Sequence, residues 1–232
     1  MVTLHDLGLG CVDADVSIDG SIDQGDHRHD LTLSGPLYAV LDPSIALVRE
    51  HPVAAREGVL IALGGGTHVH RFGESLARAI LSRRPDARVR LVQGFAREST
   101  PMTHPQVTWV AVPDGLADEL NRAAVAVLAG GVTLYEAAAL ATPSVALAVA
   151  DAQQLTIRGF ARRGAAIDAG RAGDVAAFTH AADAVDELLS HPGRAVRMGA
   201  TAAHLVDGRG VFRVADAIRQ LANREEDHSH AA

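Results

Sequence analysis

The sequence contains no lysine, so all 21 of its basic residues are arginines. A P-loop nucleotide-binding protein needs the lysine of its GxxxxGK[ST] motif, and a Schiff-base enzyme needs a lysine nucleophile. The absence of lysine therefore excludes both classes. Any phosphate that this chain binds must be held by backbone N–H groups, helix N-termini, hydroxyl groups or arginine side chains.

Cysteine, long apolar runs and excess positive charge are also scarce. The single cysteine, Cys11, allows no internal disulfide, which is typical of a reducing compartment. No apolar run reaches the ~18 residues that a membrane span requires, and the start MVTLHDLG lacks the regions of a signal peptide. The net charge of −7 argues against a nucleic-acid partner. We expect a cytoplasmic protein without stable membrane insertion.

From residue 57 onward, short apolar runs alternate with amphipathic helical segments. This alternation predicts parallel strands covered on both faces, which is a doubly wound, Rossmann-like α/β sheet. The ligand crevice of such a sheet lies beyond the C-terminal ends of its strands. The predicted strands lie within residues 58–63, 87–94, 106–112, 124–131, 143–149 and 165–170. The predicted helices lie within residues 70–84, 113–123, 132–141, 151–164, 174–191, 193–206 and 210–224.

The first 56 residues follow a different pattern. Strand-like pieces at 2–8 and 14–20 are too few to form a sheet with a core, and residues 34–45 have the proline-rich chemistry of a linker. We expect residues 1–45 to be a remnant of an N-terminal domain with its linker. Residues 46–224 form the main domain and residues 225–232 a disordered tail.

Two glycine-rich turns, at 64–66 and 130–131, fall at the C-terminal ends of predicted strands. Such a turn lets a ligand approach the backbone, and the next helix offers N–H groups to an anion. Thr133 adds a hydroxyl, whereas Glu136 would repel a phosphate but accept hydrogen bonds from ribose hydroxyls. The combination indicates a nucleoside diphosphate. The alternatives are an ordinary tight turn and a solvated glutamate.

A dinucleotide cofactor is disfavoured. The first turn reads GGGTHV rather than GxGxxG, and no acidic residue ends the next strand near Gln93. We therefore expect no NAD and no other cofactor. The histidine-rich stretch HRHD, at 27–30, favours a solvated loop over a metal site.

Five motifs occur in order, namely GPLYAVLDP, VLIALGGG, AGGVTLYEAAALATPSVAL, ADAQQ and LVDGRGVFRVADAI. With them, residues 34–215 resemble the C-terminal half of the UDP-sugar hydrolases of pseudaminic acid biosynthesis and the related spore-coat polysaccharide proteins. Those proteins belong to the two-domain GT-B group. The resemblance implies a set of substrate-binding residues: Gly64, Gly65, Gly66, Ala111, Val112, Gly130, Gly131, Val132, Thr133, Glu136 and Gln153.

The resemblance also implies a role for each of these residues. The glycines of both turns, with Val132 and Thr133, would hold the diphosphate, and Glu136 would bind the ribose. Backbone near Ala111 and Val112 would meet the uracil edge. Gln153 would face the sugar.

The sequence departs from the family at positions that bear on catalysis. The D-N-Q stretch of the family reads Asp151-Ala152-Gln153 here, and its paired aspartates read His5-Asp6. Thr67 and His68 stand where an acidic residue usually follows the glycine loop. The family's catalytic histidine lies in a first domain that this sequence nearly lacks. The candidate catalytic residues are therefore His5, Asp6 and His68, with His70 beside the same turn and no metal.

The expected function is binding and hydrolysis of a UDP-linked 2,4-diacetamido-trideoxy sugar, with release of UDP. The alternatives are a GT-B glycosyltransferase that uses a UDP-sugar donor and a non-catalytic nucleotide-sugar-binding fragment. The expected partners are the UDP-sugar and either a separate N-terminal domain or a second copy of the chain.

Overall fold

The computed structural model describes residues 1–5, 14–23, 33–66, 68–94 and 102–230, with side chains as far as residue 223. The strands are β1 Val2–His5, β2 Val16–Asp19, β3 Leu33–Ser34, β4 Val59–Ala62, β5 Val89–Val92, β6 Val107–Val110, β7 Val125–Ala129, β8 Ser144–Ala148 and β9 Ile167–Arg171. The helices are α1 Pro43–Glu50, α2 His68–Arg83, α3 Ala117–Arg122, α4 Val132–Ala139, α5 Gln153–Arg162, α6 Val175–Ser190, α7 Pro192–Leu205 and α8 Gly210–His230.

The six strands from β4 to β9 form one parallel sheet in the order β6-β5-β4-β7-β8-β9. Numbered from β4, this is the order 3-2-1-4-5-6 of the doubly wound fold. Alternate residues of β4 face opposite cores, with Leu60 and Ala62 in one and Val59 and Ile61 in the other. Burial on both faces explains the continuous apolar runs, and the predicted α/β class is confirmed.

The N-terminal residues form a second parallel sheet, in the order β1-β2-β3. The third strand, Leu33–Ser34, was not expected, because it begins at the edge of the stretch that the sequence marks as a linker. It pairs with β2, and the N–H of Gly35 donates to the carbonyl of Asp19 at 2.9 Å. The rest of that stretch forms a 3-10 helix, Pro36–Tyr38, and the start of α1, whose N-cap is Asp42.

Two helix boundaries differ from the sequence prediction by more than two residues. Residues 113–115 form a turn rather than the first turn of α3, because Gly115 takes a left-handed φ of 97° and its N–H donates to the Val112 carbonyl. The backbone of α8 continues to His230, whereas the sequence pattern ends that helix at 224. Among the described residues, no helix combines the length and the apolarity needed to span a membrane.

Two arginines cap the C-terminus of α4, the short helix after β7. Arg49 donates to the carbonyl oxygens of Ala139, at 2.5 Å, and Ala203, at 3.2 Å. Arg56 donates to the carbonyl of Leu140 at 2.6 Å and to the hydroxyl of Thr142 at 2.9 Å. A helix leaves its last carbonyl groups without partners inside the helix, so these guanidinium groups satisfy them and complement the negative end of the helix.

Helix α7 packs against the end of α4 at Gly199. A substitution at Gly199 therefore tests this packing. A Cβ on Gly199 would overlap the carbonyl oxygen of Ala141 and lie 2.9 Å from its carbon. We expect Gly199→Ala to lower the free energy of unfolding by roughly 1–3 kcal/mol, the usual cost of overpacking. Denaturant unfolding measures this change.

The matched control is Gly193→Ala near the start of the same helix. An added Cβ there comes no closer than 3.5 Å to Arg197 Nη1, so relief of glycine's entropic cost stabilises that variant by up to about 1 kcal/mol. Equal stability of the two variants would contradict the packing shown between α7 and the end of α4.

Candidate functional site

Both glycine turns lie side by side at the switch point of the large sheet. Strands β4 and β7 are direct neighbours, and Ala62 pairs with Leu128. The segments after β4 and β7 therefore leave the sheet at the same level. Gly64 lies two residues after Ala62, and Gly130 lies two residues after Leu128. This is the place in a doubly wound sheet where the strand order reverses and a crevice opens.

The first turn needs glycine at Gly64, which has a left-handed φ of 88°. A Cβ built there would meet no heavy atom within 4 Å, so the space above the turn is open. At Gly66, by contrast, a Cβ would lie 2.6 Å from Cε1 of His68. The missing side chain at Gly66 therefore leaves room for an imidazole ring, and the open side of the turn at Gly64 leaves room for a ligand.

His68 begins α2 and folds back under the first turn. Its Nε2 lies 3.0 Å from the carbonyl oxygen of Leu63, and its ring is tilted against Phe72. With Nε2–H donating to that carbonyl, Nδ1 is the only ring nitrogen left for a ligand. The contact gives His68 a structural role in shaping the turn, and its catalytic role stays a prediction. His70 stacks on Trp109, with ring centroids 4.8 Å apart.

The second turn is shaped by helix α5. A Cβ on Gly130 would lie 2.6 Å from Cγ1 of Ile157 and 2.9 Å from the carbonyl oxygen of Gln153, so only glycine allows α5 to pack this closely. Gly131 is the N-cap of α4, and no side chain caps the helix there. The first N–H groups of α4, at Val132 and Thr133, begin the positive end of the helix at the crevice.

Glu136 lies one turn into α4 and is half-buried. Burial raises the pKa of its carboxyl group, and the negative charge of Asp42, the N-cap of α1, raises that pKa further. A fully solvated helix residue would not experience this burial, so that alternative does not fit. Its carboxylate loses part of its hydration and gains most from a ligand that donates hydrogen bonds.

Gln153 lies against the second turn. It begins α5, its Oε1 accepts a 3.0 Å hydrogen bond from the Val149 N–H, and its Nε2 faces Gly131, where a Cβ would lie 3.8 Å away. Asp151, two residues earlier, forms an ion pair with Arg171 instead. The structure thus brings Gln153, but not the Asp151 carboxylate, to the glycine turn.

Ala111 and Val112 lie at the same edge of the sheet, just past β6. Ala111 is exposed, while the Val112 carbonyl accepts the Gly115 N–H at 3.2 Å. The loop after β5 bridges this end to the first turn, since a Cβ on Gly94 would lie 3.2 Å from the carbonyl oxygen of Gly66. The two turns and the exposed backbone after β6 therefore lie along the same edge of the sheet.

His5 ends β1 in the small sheet. Its Nε2 lies 3.0 Å from Oγ1 of Thr3, which lies 3.2 Å from Oγ of Ser17. His5 also lines a cavity of about 260 Å³ together with Val132 and Tyr135 of α4. The residue is thus near the start of α4, but its catalytic role stays a prediction. Asp6, Thr67 and the stretch 27–30 lie outside the described residues.

A larger cavity, of about 930 Å³, lies at the opposite edge of the sheet and was not expected from the sequence. Its lining includes three arginines, and each already has an acceptor. Arg56 donates to Leu140, Arg84 to Asp186, and Arg88 pairs with Glu57. Ligands of doubly wound sheets bind beyond the C-terminal strand ends, so the crevice at the glycine turns is the stronger candidate.

Comparison with known proteins supports the same fold. No protein-family model matches the chain. A curated relative, the spore coat polysaccharide biosynthesis protein SpsG of Bacillus subtilis (strain 168), is 27% identical over 202 residues, which is 82% of this chain and 59% of the relative. The chain therefore spans less than two thirds of that relative.

Several solved structures share the fold of this chain. The glycotransferase of kitacinnamycin superposes with a TM-score of 0.60 at 22% identity, over 89% of this chain and 54% of its own. MnaA of S. aureus, solved with UDP, gives a TM-score of 0.60 at 12% identity, over 90% of this chain and 61% of its own. The large sheet with its helices has the α/β fold of a GT-B domain.

The raised pKa of Glu136 gives a test in the absence of ligand. A carboxyl group whose pKa is higher in the folded state lowers the free energy of unfolding when it ionises. This penalty is absent below the ordinary value of 4.5, grows as pH rises from that value to the raised pKa, and is constant above it. We expect Glu136→Gln to be more stable than the wild type at pH 7, with the difference closing near pH 4.

Denaturant unfolding at both pH values measures this difference. Glu57→Gln, at an exposed carboxylate, controls for loss of one negative charge. A Glu136→Gln variant that is less stable than the wild type at pH 7 would contradict the assignment of a burial penalty to Glu136.

Proposed function

We propose that this chain binds a UDP-sugar in the crevice at the two glycine turns and presents it for glycosyl transfer. The observation that supports this most is the start of α4. An uncapped helix N-terminus at Gly131 lies beside the open turn at Gly64, and the half-buried Glu136 follows one turn later. An anion-binding group and a hydroxyl-binding carboxylate at this spacing fit a nucleoside diphosphate.

Each part of the ligand has a proposed set of partners. The diphosphate contacts the backbone of both turns and the Thr133 hydroxyl, and the ribose hydroxyls donate to Glu136. The uracil edge meets exposed backbone at Ala111 and Val112. The sugar lies toward Gln153, whose Nε2 faces Gly131. The full proposed set is Gly64, Gly65, Gly66, Ala111, Val112, Gly130, Gly131, Val132, Thr133, Glu136 and Gln153.

The chemistry that this site supports is departure of UDP from the anomeric carbon. The bond between that carbon and the diphosphate oxygen breaks, and the oxygen keeps the electron pair. Backbone N–H groups and the positive end of α4 stabilise the negative charge that develops there. Because the site acts on the leaving group, it serves any nucleophile that attacks the same carbon.

The leading proposal for the nucleophile is an acceptor hydroxyl, and the reaction is then glycosyl transfer. It is supported by the fold shared with a glycotransferase and by a relative named for polysaccharide biosynthesis. Hydrolysis of a UDP-linked 2,4-diacetamido-trideoxy sugar, implied by the resemblance to the pseudaminic acid enzymes, differs only in using water. Product analysis separates the two, since transfer yields a glycoside and hydrolysis a free sugar. A chain that binds UDP-sugar without turnover would be the binding fragment.

Nucleotide selectivity tests the proposal directly. We expect UDP to bind with about five- to tenfold higher affinity than ADP or NAD, because one backbone hydrogen-bond pair on the base is worth roughly 1–1.5 kcal/mol. Uracil offers an N3–H donor beside a carbonyl acceptor, whereas adenine offers the reverse pattern. Titration calorimetry with the three ligands measures this, and equal affinities would remove the uridine assignment.

Glu136→Ala tests the ribose contact. Hydrogen bonds to a charged group contribute roughly 1.5–3 kcal/mol, so the affinity for UDP should fall about tenfold or more. Glu57→Ala is the control, because that carboxylate lies at the far edge of the sheet. Normal UDP binding by a folded Glu136→Ala variant would show that Glu136 does not contact the ribose.

A further inference from the structure

Ile22 joins the small sheet to helix α4. It follows β2 and is only 3% exposed, within the same core as Tyr135 and Phe160. Its backbone N–H donates to the Tyr135 hydroxyl at 2.9 Å. Tyr135 in turn packs edge-on against Phe160, with ring centroids 5.1 Å apart.

Helix α5 leaves space for the Ile22 side chain. A Cβ on Gly159 would lie 2.5 Å from Cγ2 of Ile22, so the helix carries glycine where Ile22 packs. The neighbouring Asp23 forms an ion pair with Arg162 on the same helix. Ile22 is therefore seated between α4 and α5 by a hydrogen bond, a shaped cavity and an adjacent ion pair.

A cavity lies between the small sheet and α4, the two parts of the structure that Ile22 joins. The cavity of about 260 Å³ is lined on one side by His5 and Gly20 of the small sheet, and on the other by Val132 and Tyr135 of α4. Val132 is also the first residue of α4, beside the turn proposed to bind the diphosphate. The cavity therefore reaches the start of α4, and its width depends on the position of the small sheet.

We propose that Ile22 and Tyr135 are positioning residues, which hold the small sheet at a fixed place on α4 so that nucleotide binding and the seating of Ile22 stabilise each other. This inference rests on the proposed nucleotide site. Tyr135 lies between Val132 and Glu136 on one short helix, and a ligand that contacts both ends of that segment fixes the hydroxyl that accepts from Ile22. Release of Ile22 then requires movement of residues that the ligand holds.

Hydrogen exchange of the whole chain, with and without UDP, tests this coupling. If Ile22 leaves its seat only when UDP dissociates, UDP at 100 times its Kd slows exchange of the Ile22 N–H and of residues 16–19 by up to about 100-fold. The peptide covering α6, Val175–Ser190, serves as the internal reference for a general change in stability.

Three variants separate coupling from simple loss of stability. Tyr135→Phe removes the hydroxyl that accepts from the Ile22 N–H, and we expect it to keep UDP affinity within about threefold while losing most of the UDP-dependent protection at 16–22. Ile22→Ala should lose the same protection, and Ile22→Val, which keeps both Cγ atoms, should restore it. Ile218→Ala, at an exposed isoleucine of α8, is the matched control and should behave as the wild type.

The outcomes are distinct. Absence of UDP binding to the wild type in calorimetry would overturn the proposed function itself. Normal UDP binding without added protection of residues 16–22, or full protection retained in Tyr135→Phe, would overturn the positioning role while leaving the nucleotide site intact. If Ile22→Ala does not fold, the comparison of Tyr135→Phe with Ile22→Val still decides between these results.

Discussion

The pairing of β4 with β7 is the constraint on which the candidate site depends. These two strands are far apart in the sequence, yet Ala62 and Leu128 are direct partners in the sheet. Their pairing places two glycine turns next to each other and directs the starts of α2 and α4 toward one crevice. A shift in this register would separate the turns, because the position of each turn is fixed by the end of its strand.

Local features of the site could be predicted from the sequence, whereas long-range ones could not. The doubly wound class of the sheet follows from the apolar runs that alternate with helices. The two turns follow from their glycines, and the position of Glu136 follows from helical spacing. By contrast, Arg49 and Arg56 reach the end of α4 from about 85 to 90 positions away, and nothing near them in the sequence marks that contact. Ile22 and Tyr135 are separated by 113 positions. Their partnership arises only from the packing of the complete fold.

Short-range structure differs from the sequence pattern where one residue outweighs that pattern. The helical spacing of residues 113–123 suggested a longer α3, but the left-handed Gly115 delays its start to Ala117. The prolines of residues 34–45 suggested a linker, yet the stretch begins with a strand and ends within α1. His68 follows the glycine turn, and its role as an acid stays a prediction. The structure shows that its ring fills the space that Gly66 leaves, a contact that requires the turn's geometry.

The two arginine caps have an electrostatic consequence at the far end of α4. That helix has eight residues, so its ends are about 12 Å apart at 1.5 Å per residue. The path between them runs through protein, where charges are screened less than in water. Arg49 and Arg56 therefore add to the positive potential at Gly131 without touching a ligand there. In a chain without lysine, these two arginines add positive charge behind the start of α4 while their own side chains stay at the other end of the helix.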